Sequence, residues 1–357
     1  MKLGVVVVHF HTPELARTAV ESVRDQAAEE ALECEIVVVD NGSTPEGREI
    51  LAGLEVAAVE SSGRNLGYAG GFNRGVELLG SADAFMVMNP DLELLPSCLQ
   101  QLVAALGGAG VVGPRFFWDR PGGFMLPPAE QRGRAASLRR FLAPRSSFWS
   151  RRARAAWRAH ARRHWSAEEP LASHDLSGAL LMIEAGAWRR VGPFDDGFPL
   201  YFEETDWLAR ARRAGVSGRY VPSAQALHHY ARSTPQEPRS SAWFEQSHRR
   251  FRGKHYGELF TRSLHFAARR WPAPAERPLG EGPGEFSGSI RWLEIAAGVH
   301  GFPAASRRLG GDAPPAADSL IPAGAPQGDY VVRALGRGDR ELWARRISVS
   351  PEASASG

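Results

Sequence analysis

Met86-Val-Met-Asn-Pro-Asp91, residues 86–91, is an apolar run that stops at a carboxylate. A buried strand ending in an acid at its carboxyl edge presents a hard oxygen ligand where open α/β sheets bind their ligands. Taken alone, Asn89-Pro90-Asp91 is more often a plain turn after a strand. Two other stretches give it a setting. One is Val37-Val-Val-Asp-Asn-Gly-Ser43; the other is Tyr201-Phe-Glu-Glu-Thr-Asp-Trp207, followed by the pair His228-His229. Together they point to an enzyme that handles a metal-bound nucleotide phosphate.

Outward from that strand, the chain alternates strand and helix signals. Val5–Val8 is a β-branched run, read as a buried parallel strand. Thr12 and Pro13 then open a helix over 14–26, with Leu15, Ala19, Ser22 and Val23 on one face. Glu35–Val39 is a strand that ends at Asp40, Pro45–Leu54 a helix and Val56–Val59 a short strand. Tyr68–Leu79 reads as a helix, Ala84–Met88 as a strand, Pro96–Leu106 as a helix and Val111–Gly113 as a strand. This alternation predicts an α/β fold with a mostly parallel, Rossmann-like sheet flanked by crossover helices. Further on, Asp175–Glu184 reads as a buried strand and Asp206–Ala214 as a helix closed by Gly215. Residues 218–221 and 224–227 are short extended pieces.

With 357 residues, 43% of them hydrophobic, the chain has material for one large domain or two. It has no uninterrupted apolar stretch long enough to span a membrane and no secretory-type leader. Cys34 and Cys98 are too few for a disulfide framework. A cytoplasmic address is expected, with peripheral attachment at the inner face of the plasma membrane as an option. Net charge is only +3, yet residues 131–163 carry a run of arginines and no acid, with Phe141, Phe148, Trp149 and Trp157 interleaved. That stretch reads either as a basic amphipathic helix on an anionic membrane surface or as a solvated helical excursion. No nucleic-acid fold signature accompanies it, so nucleic acid is not an expected partner. The expected division is a domain over 1–270 with the basic excursion at 131–165, a Pro/Gly linker at 271–284, and a small β-rich accessory region at 285–357 with a disordered end. Within that region Tyr330–Leu335 and Glu341–Val349 flank Gly336-Arg-Gly-Asp339 as a hairpin.

Asp40 can accept hydrogen bonds from a nucleobase or a ribose hydroxyl, and it can equally serve its own turn. The stretch Asn65-Leu-Gly-Tyr-Ala-Gly-Gly-Phe-Asn-Arg-Gly75 places glycines before a helix, where backbone N–H groups can approach a phosphate or sugar. It lacks the dinucleotide fingerprint after the first strand, which argues against an oxidoreductase. A carboxylate at Asp91 with a downstream His suits Mn²⁺ better than Mg²⁺. Glu203, Glu204 and Asp206 form an acidic cluster able to deprotonate an attacking hydroxyl. They can also be an acid-rich helix start, with Asp206 paired to Arg210 one turn on.

In order and spacing these pieces resemble the family-two inverting glycosyltransferases, in particular the rhamnosyltransferase-like branch. The resemblance covers roughly residues 3–235. It rests on Val39-Asp-Asn-Gly-Ser43, on the Asn65–Gly75 stretch and on Asn89-Pro90-Asp91. It continues through Ser177-Gly-Ala179, Gly192-Pro-Phe-Asp195 and Tyr201-Phe-Glu-Glu-Thr-Asp206, and closes with Pro222, Ala224 and His228. The resemblance implies a GT-A-like fold and a single displacement with inversion. A sugar such as rhamnose or another deoxyhexose would move from a nucleotide-diphosphate donor to a glycan or polyprenyl-linked acceptor in cell-surface polysaccharide synthesis. By the same resemblance, Asp91 and His228 would hold Mn²⁺ or Mg²⁺, and Glu204 or Glu203 would be the base. His9, Asp40, Asn41, Gly67, Gly70, Gly71, Asn73, Asn89, Ser177 and Gly178 would contact the nucleotide-sugar. Asp195, Asp206 and Trp207 would lie on the acceptor side. Three positions depart from the family pattern: Glu204 stands where an Asp is usual, Asn89 where the first acid of the metal motif often is, and His9-Phe10-His11 where a Tyr-Asn pair is common.

Two other readings share the sheet type. A sugar-nucleotide pyrophosphorylase would need a Gly-rich basic signature after the first strand, and His9–Glu14 holds no Gly or Lys. A non-catalytic homologue that binds sugar nucleotide or glycan without turnover is motivated by the Asn89 and Glu204 departures.

Overall fold

The structure, a computed structural model, describes residues 1–61, 63, 65–229, 240–274, 289–297, 303–309 and 319–350. From the N-terminus, β1 (Lys2–His9), α1 (Pro13–Glu29), β2 (Glu33–Asp40), α2 (Pro45–Ala52), β3 (Ala58–Ser61), α3 (Gly67–Leu79) and β4 (Ala84–Met88) carry out the alternation read from the sequence. β5 (Leu92–Leu94), α4 (Cys98–Leu106) and β6 (Val111–Phe117) follow. Then come α5 (Arg134–Leu142), α6 (Ser147–Trp165), β7 (Leu171–Ala172), β8 (Leu180–Glu184), α7 (Ala185–Val191), α8 (Glu203–Arg213) and β9 (Gly218–His228). The helices α9 (Ser240–Tyr256) and α10 (Glu258–Arg270) precede β10 (Trp292–Ala297), β11 (Ala305–Arg308), β12 (Gly328–Leu335) and β13 (Glu341–Val349).

The chain divides into two compact units. The first gathers Met1–Arg115, Pro128–Arg134 and Ser166–Ala267; the second gathers Phe116–Pro127, Ala135–Trp165 and Ala268–Gly357. The 131–165 stretch, read from sequence as an excursion of the first domain, therefore falls mostly in the second unit. Of the linker expected at 271–284, residues 275–284 lie outside the described residues, as does the expected disordered end at 351–357.

In the first unit the sheet order is β3-β2-β1-β4-β8-β6-β9-β5, with β7 against β9. β3, β2, β1 and β4 run parallel and form the central sheet that the alternation predicts. Beyond β4 the strands turn antiparallel: β8 opposes both β4 and β6, and β5 opposes β9. All five residues of β4 are buried, as a strand covered on both faces requires. On α1, Ala16, Ala19, Val20, Val23 and Ala27 make the buried stripe, with Pro13 in the first turn. Thr12 makes no side-chain cap there; its hydroxyl instead lies 3.3 Å from His9 Nδ1. Buried Gln26 donates to the Leu94 and Leu95 carbonyls and accepts from the Leu99 N–H, fixing β5 and α4 against α1. α3 presses closely on β1. A Cβ on Gly75 would lie 2.3 Å from Val6 Cγ1, and one on Gly71 would lie 2.8 Å from Val8 Cγ1.

Several boundaries differ from the sequence reading, and three of them shape the site. β8 begins at Leu180 rather than Asp175, because Ser177-Gly178-Ala179 is a turn. α8 begins at Glu203, three residues early, and β9 runs unbroken from Gly218 to His228 where two pieces were expected. No described helix is long and apolar enough to cross a membrane.

In the second unit the antiparallel sheet runs β11-β10-β12-β13, and β12 pairs with β13 around the expected hairpin. Leu293, Ile295, Val332, Ala334 and Trp343 fill its core with Trp118 and Phe124. Glu294 is fully buried and receives Arg158 at 2.9 Å and Arg162 at 3.5 Å from α6. That ion pair ties the basic stretch to this sheet.

Candidate active site

β1, β2 and β4 end side by side, and the chain switches sides of β1 between β3 and β4. A crevice at such a switch point is where doubly wound sheets bind ligands. Here it is a cavity of roughly 640 Å³. Its lining includes Val8, His9 and Phe10 at the end of β1, Asn41 after β2, Asn65 to Tyr68 at the start of α3, Asn89 and Pro90 after β4, Ser177 to Ala179, Glu203, Glu204 and His228.

On the β1–β2 side, Asn41 organises the wall. Its side chain donates to the Gly67 carbonyl at 3.1 Å and accepts from the Leu66 N–H at 3.0 Å. This holds the Asn65–Gly67 loop, where Gly67 has a φ of +70° that few side chains tolerate. Asp40 faces its own turn instead of the cavity. Its oxygens accept from the Gly42 and Ser43 N–H groups and from the Ser61 hydroxyl. Burial would raise its pKa, but the bonds from Ser43, Gly42 and Ser61 outweigh burial and hold it below the usual carboxylate range. His9 lies 2.8 Å from the Ser43 hydroxyl, and burial brings its pKa down to about 4 against the pull of Asp40. It is a neutral imidazole at physiological pH.

Other expected contacts serve the scaffold. Gly71 is the close approach of α3 to β1, and Gly70 meets the Leu66 side chain. Asn73 exchanges two hydrogen bonds with the Phe194 backbone and pins the loop before α8. None of the three lines the cavity.

The side expected to hold a metal is built by strand register. β5 and β9 pair with Leu92 opposite His228, and the His229 N–H donates to the Asp91 carbonyl. His228 Nε2 thereby sits 3.4 Å from Asp91 Oδ1, with the carboxylate only 1% exposed. Among the described residues no group of three or more His, Cys, Asp or Glu side chains gathers as a metal cage. One carboxylate and one imidazole nonetheless form a donor set suited to a divalent cation that takes its other oxygens from substrate phosphates and water.

The acidic side begins with strain. Tyr201 and Phe202 both have positive φ, +66° and +72°, which costs non-glycine residues about 1–3 kcal/mol each and is concentrated at functional sites. They deliver Glu203 and Glu204 to the first turn of α8, about 100° apart around the helix. Glu203 points inward, 4% exposed, and burial pushes its carboxyl up to about 8, with the charge of Glu204 adding to the effect. Glu204 lies across Gly178, where a Cβ would stand 2.5 Å from Glu204 Cγ. Gly178 is therefore the floor that leaves room for this side chain. The Gly178 carbonyl accepts from the Tyr68 hydroxyl. Tyr68 was not anticipated. Its phenol is held well above its usual pKa by burial and by the charges of Glu203, Glu204 and Asp91, which places it among all three acids. An aromatic inside a Gly-rich loop reads as core packing, so the sequence carried no signal for it.

The acceptor-side expectations fare differently. Trp207 is fully buried, stacks on Trp188 and donates to the Gly192 carbonyl, because the α8 periodicity turns it into the core. Asp206 is also fully buried and meets Arg210, His255 and Lys254 at 2.7–2.8 Å. Burial raises its pKa, but His255, Lys254 and Arg210 together hold it far below the usual range. Asp195 is bound to Arg250 and Lys254; its neighbour Asp196 lines the cavity.

Residues 4–164 match the family model described as Glycosyl transferase family 2. Over 233 residues the chain is 32% identical to the N-acetylglucosaminyl-diphospho-decaprenol L-rhamnosyltransferase of Mycobacterium tuberculosis, covering 57% of this chain and 69% of that protein. It is 23% identical over 239 residues to the low-salt glycan biosynthesis hexosyltransferase Agl10 of Haloferax volcanii, covering 63% of this chain and 66% of the relative. Among solved structures, S. aureus TarS 1–349 aligns with a TM-score of 0.45 at 13% identity, covering 70% of this chain and 64% of that one.

Proposed function

The chain belongs to glycosyl transferase family 2, and from that premise we propose that it moves a deoxyhexose, with rhamnose first in line, from a nucleoside-diphosphate donor to a hydroxyl of a lipid-linked glycan at the inner face of the plasma membrane. The observation that carries this reading is the single cavity bounded by Asn89 and His228 on one side and by Glu204 over Gly178 on the other. It brings His228, whose ring lies 3.4 Å from the buried Asp91 carboxylate, to the same cavity as the Glu204 carboxylate.

In this reading Glu204 takes the proton of the acceptor hydroxyl as that oxygen attacks the sugar's anomeric carbon, and displacement from the opposite face inverts the configuration. Asp91 and His228 would hold Mn²⁺ or Mg²⁺, which supplies positive charge against the departing diphosphate. Asn41 keeps the Asn65–Gly67 loop in the cavity wall, where its backbone can meet nucleotide or sugar. Neutral Glu203 and the Tyr68 hydroxyl lend the pocket polarity without adding charge beside the diphosphate. The lipid-linked acceptor rests on the activity for which the M. tuberculosis relative is named.

A donor panel tests the proposal. Nucleoside diphosphate release is measured from several sugar nucleotides, with N-acetylglucosaminyl-diphospho-polyprenol as acceptor and with Mn²⁺, Mg²⁺ or chelator. Release from one deoxyhexose donor, abolished by chelator, is expected. Release unaffected by chelator removes the metal from the proposal, and binding without release from any donor favours a non-catalytic sugar-nucleotide binder.

A further inference from the structure

Asp195, Asp206 and Trp207 are spent on other partners within the fold, yet the cavity has a further wall made of Asp196, Phe198 to Tyr201 and Trp243. Helix α9 holds that wall in place. Trp243, Ser247, Arg250 and Lys254 recur at i, i+4, i+7 and i+11, the spacing of one helical face. Three of them grip the loop before α8. The Ser247 hydroxyl donates to the Leu200 carbonyl at 2.7 Å, and Arg250 and Lys254 reach the Asp195 carboxylate at 2.8 and 2.7 Å. Phe244 adds ring contacts to Tyr201 and Phe202, with centroids 5.8 and 5.4 Å apart. Trp243, the fourth member of the face, stands one turn before Ser247 and lines the cavity. Tyr201, 37% exposed, lines it as well, and Asp196 adds an exposed carboxylate.

We propose that Trp243, Tyr201 and Asp196 form the subsite for the acceptor's terminal sugar, with a pyranose ring against the aromatic side chains and its hydroxyls donating to the carboxylate. This composition matches the two-sided chemistry of a sugar. The faces of a pyranose are C–H surfaces that gain by leaving water against an aromatic ring. Its rim is hydroxyls, which need acceptors once they are buried, and an ionised carboxylate only accepts. A phosphate is disfavoured beside the Asp196 charge, which leaves the diphosphate to the His228 end. The subsite rests on the proposed transfer to a lipid-linked glycan and adds the residues that recognise the sugar of that acceptor.

The test is calorimetry without donor, using N-acetylglucosaminyl diphosphate on a short prenyl chain and the same prenyl diphosphate without the sugar. Wild type is expected to bind the sugar-bearing probe at least about tenfold more tightly. Trp243→Ala cuts that ratio to about threefold or less, Trp243→Phe keeps most of it, and Asp196→Asn lowers it about threefold. The control Glu245→Ala, about 200° round α9 from Trp243, keeps the ratio. A partly unfolded variant weakens both probes equally, so the ratio reads the sugar contact and not the fold. In turnover, Trp243→Ala raises the acceptor KM at least about tenfold, with the donor KM within about threefold. A ratio unchanged in Trp243→Ala, a loss shared by Glu245→Ala, or a rise in donor KM in place of acceptor KM overturns the subsite. Equal weakening of both probes by Trp243→Ala at an unchanged thermal melt overturns it too and assigns the ring to the prenyl chain. No wild-type preference for the sugar-bearing probe, with nucleoside diphosphate release intact on the donor panel, removes the subsite and leaves the transferase. A Trp243-dependent preference with no release from any donor removes the transferase and leaves a glycan-binding subsite.

Discussion

Adding one methyl group at position 178 tests whether Glu204 is the base. A Cβ on Gly178 would stand 2.5 Å from Glu204 Cγ, 2.9 Å from its Cβ and 3.0 Å from its Cδ. Ordinary contact begins near 3.5 Å, so the Glu204 side chain must retreat by about 1 Å, and rotation alone cannot clear its own Cβ. Displacement of a reacting group by about 1 Å costs on the order of 10²-fold in rate. Overpacking of one methyl costs about 1–2 kcal/mol of stability, or roughly 2–8 °C in melting temperature for a domain of this size. Gly178→Ala therefore lowers kcat about 100-fold while the protein stays folded and nucleotide affinity stays within about threefold. The assay is initial rate of nucleoside diphosphate release under saturating donor, with a thermal melt and a nucleotide titration alongside. A variant that keeps more than about a third of wild-type kcat would falsify the positioning of Glu204 by this glycine, and with it the assignment of Glu204 as the base.

Other outcomes follow from the same geometry. Asp91→Asn keeps the shape of the β4–β5 turn and removes the charge. It abolishes chelator-sensitive turnover and Mn²⁺ affinity in the presence of nucleotide, read by calorimetry, while the far-ultraviolet circular dichroism is unchanged. Glu203→Gln removes a group whose folded pKa, about 8, lies above its ordinary 4.5. In the wild type the unfolded chain ionises first as pH rises, so stability falls between those values and levels off above the folded one. Chemical denaturation then finds Glu203→Gln more stable than wild type at about pH 8, with the gap closing toward about pH 4.5; a gap independent of pH counts against the buried neutral acid. Asp206→Asn strands Arg210, His255 and Lys254 beside a neutral amide. It costs about 3–5 kcal/mol in denaturant unfolding, with the folded fraction retaining most of its specific activity; loss of activity at full stability would move Asp206 back to the acceptor side.

The parallel half of the sheet was legible because β1, β2 and β4 are buried on both faces and read as unbroken apolar runs. Strand direction was not legible. Leu180–Glu184 is as apolar as its parallel neighbours, and nothing local distinguishes a strand that opposes β4 from one that follows it. At the site, sequence order named loops that the fold brings to one cavity but could not sort residues within them. Asn41 faces the cavity while Asp40, one residue earlier, is consumed by Ser43 and Ser61. Gly67 faces the cavity while Gly71 lets α3 pack on β1. His228 came to Asp91 through the β5–β9 register, a pairing across 137 residues that no local pattern encodes. The acids of α8 show the limit most sharply. Asp206 and Trp207 look like acceptor contacts by motif, yet helical periodicity turns both inward.

The same periodicity supports a choice that sequence left open between Glu203 and Glu204. Adjacent residues on a helix point about 100° apart, so the two carboxyls meet different surroundings although both border the cavity. The left-handed residues Tyr201 and Phe202 set the phase, and Glu203 is the one buried. A general base must be ionised at the working pH, and burial keeps Glu203 protonated up to about 8. Glu204 remains half exposed, lies over Gly178 and accepts from the Thr205 hydroxyl at 3.0 Å. The extra methylene of Glu over the usual Asp is accommodated by a floor with no side chain. The two substitutions separate the roles in kinetics. Glu204→Gln removes the base and lowers kcat by at least about 10²-fold. Glu203→Gln keeps a neutral hydrogen-bonding group of the same shape, so it leaves kcat within about tenfold at pH 7. The reverse order of effects would place the base on the buried carboxyl and refute the phase argument.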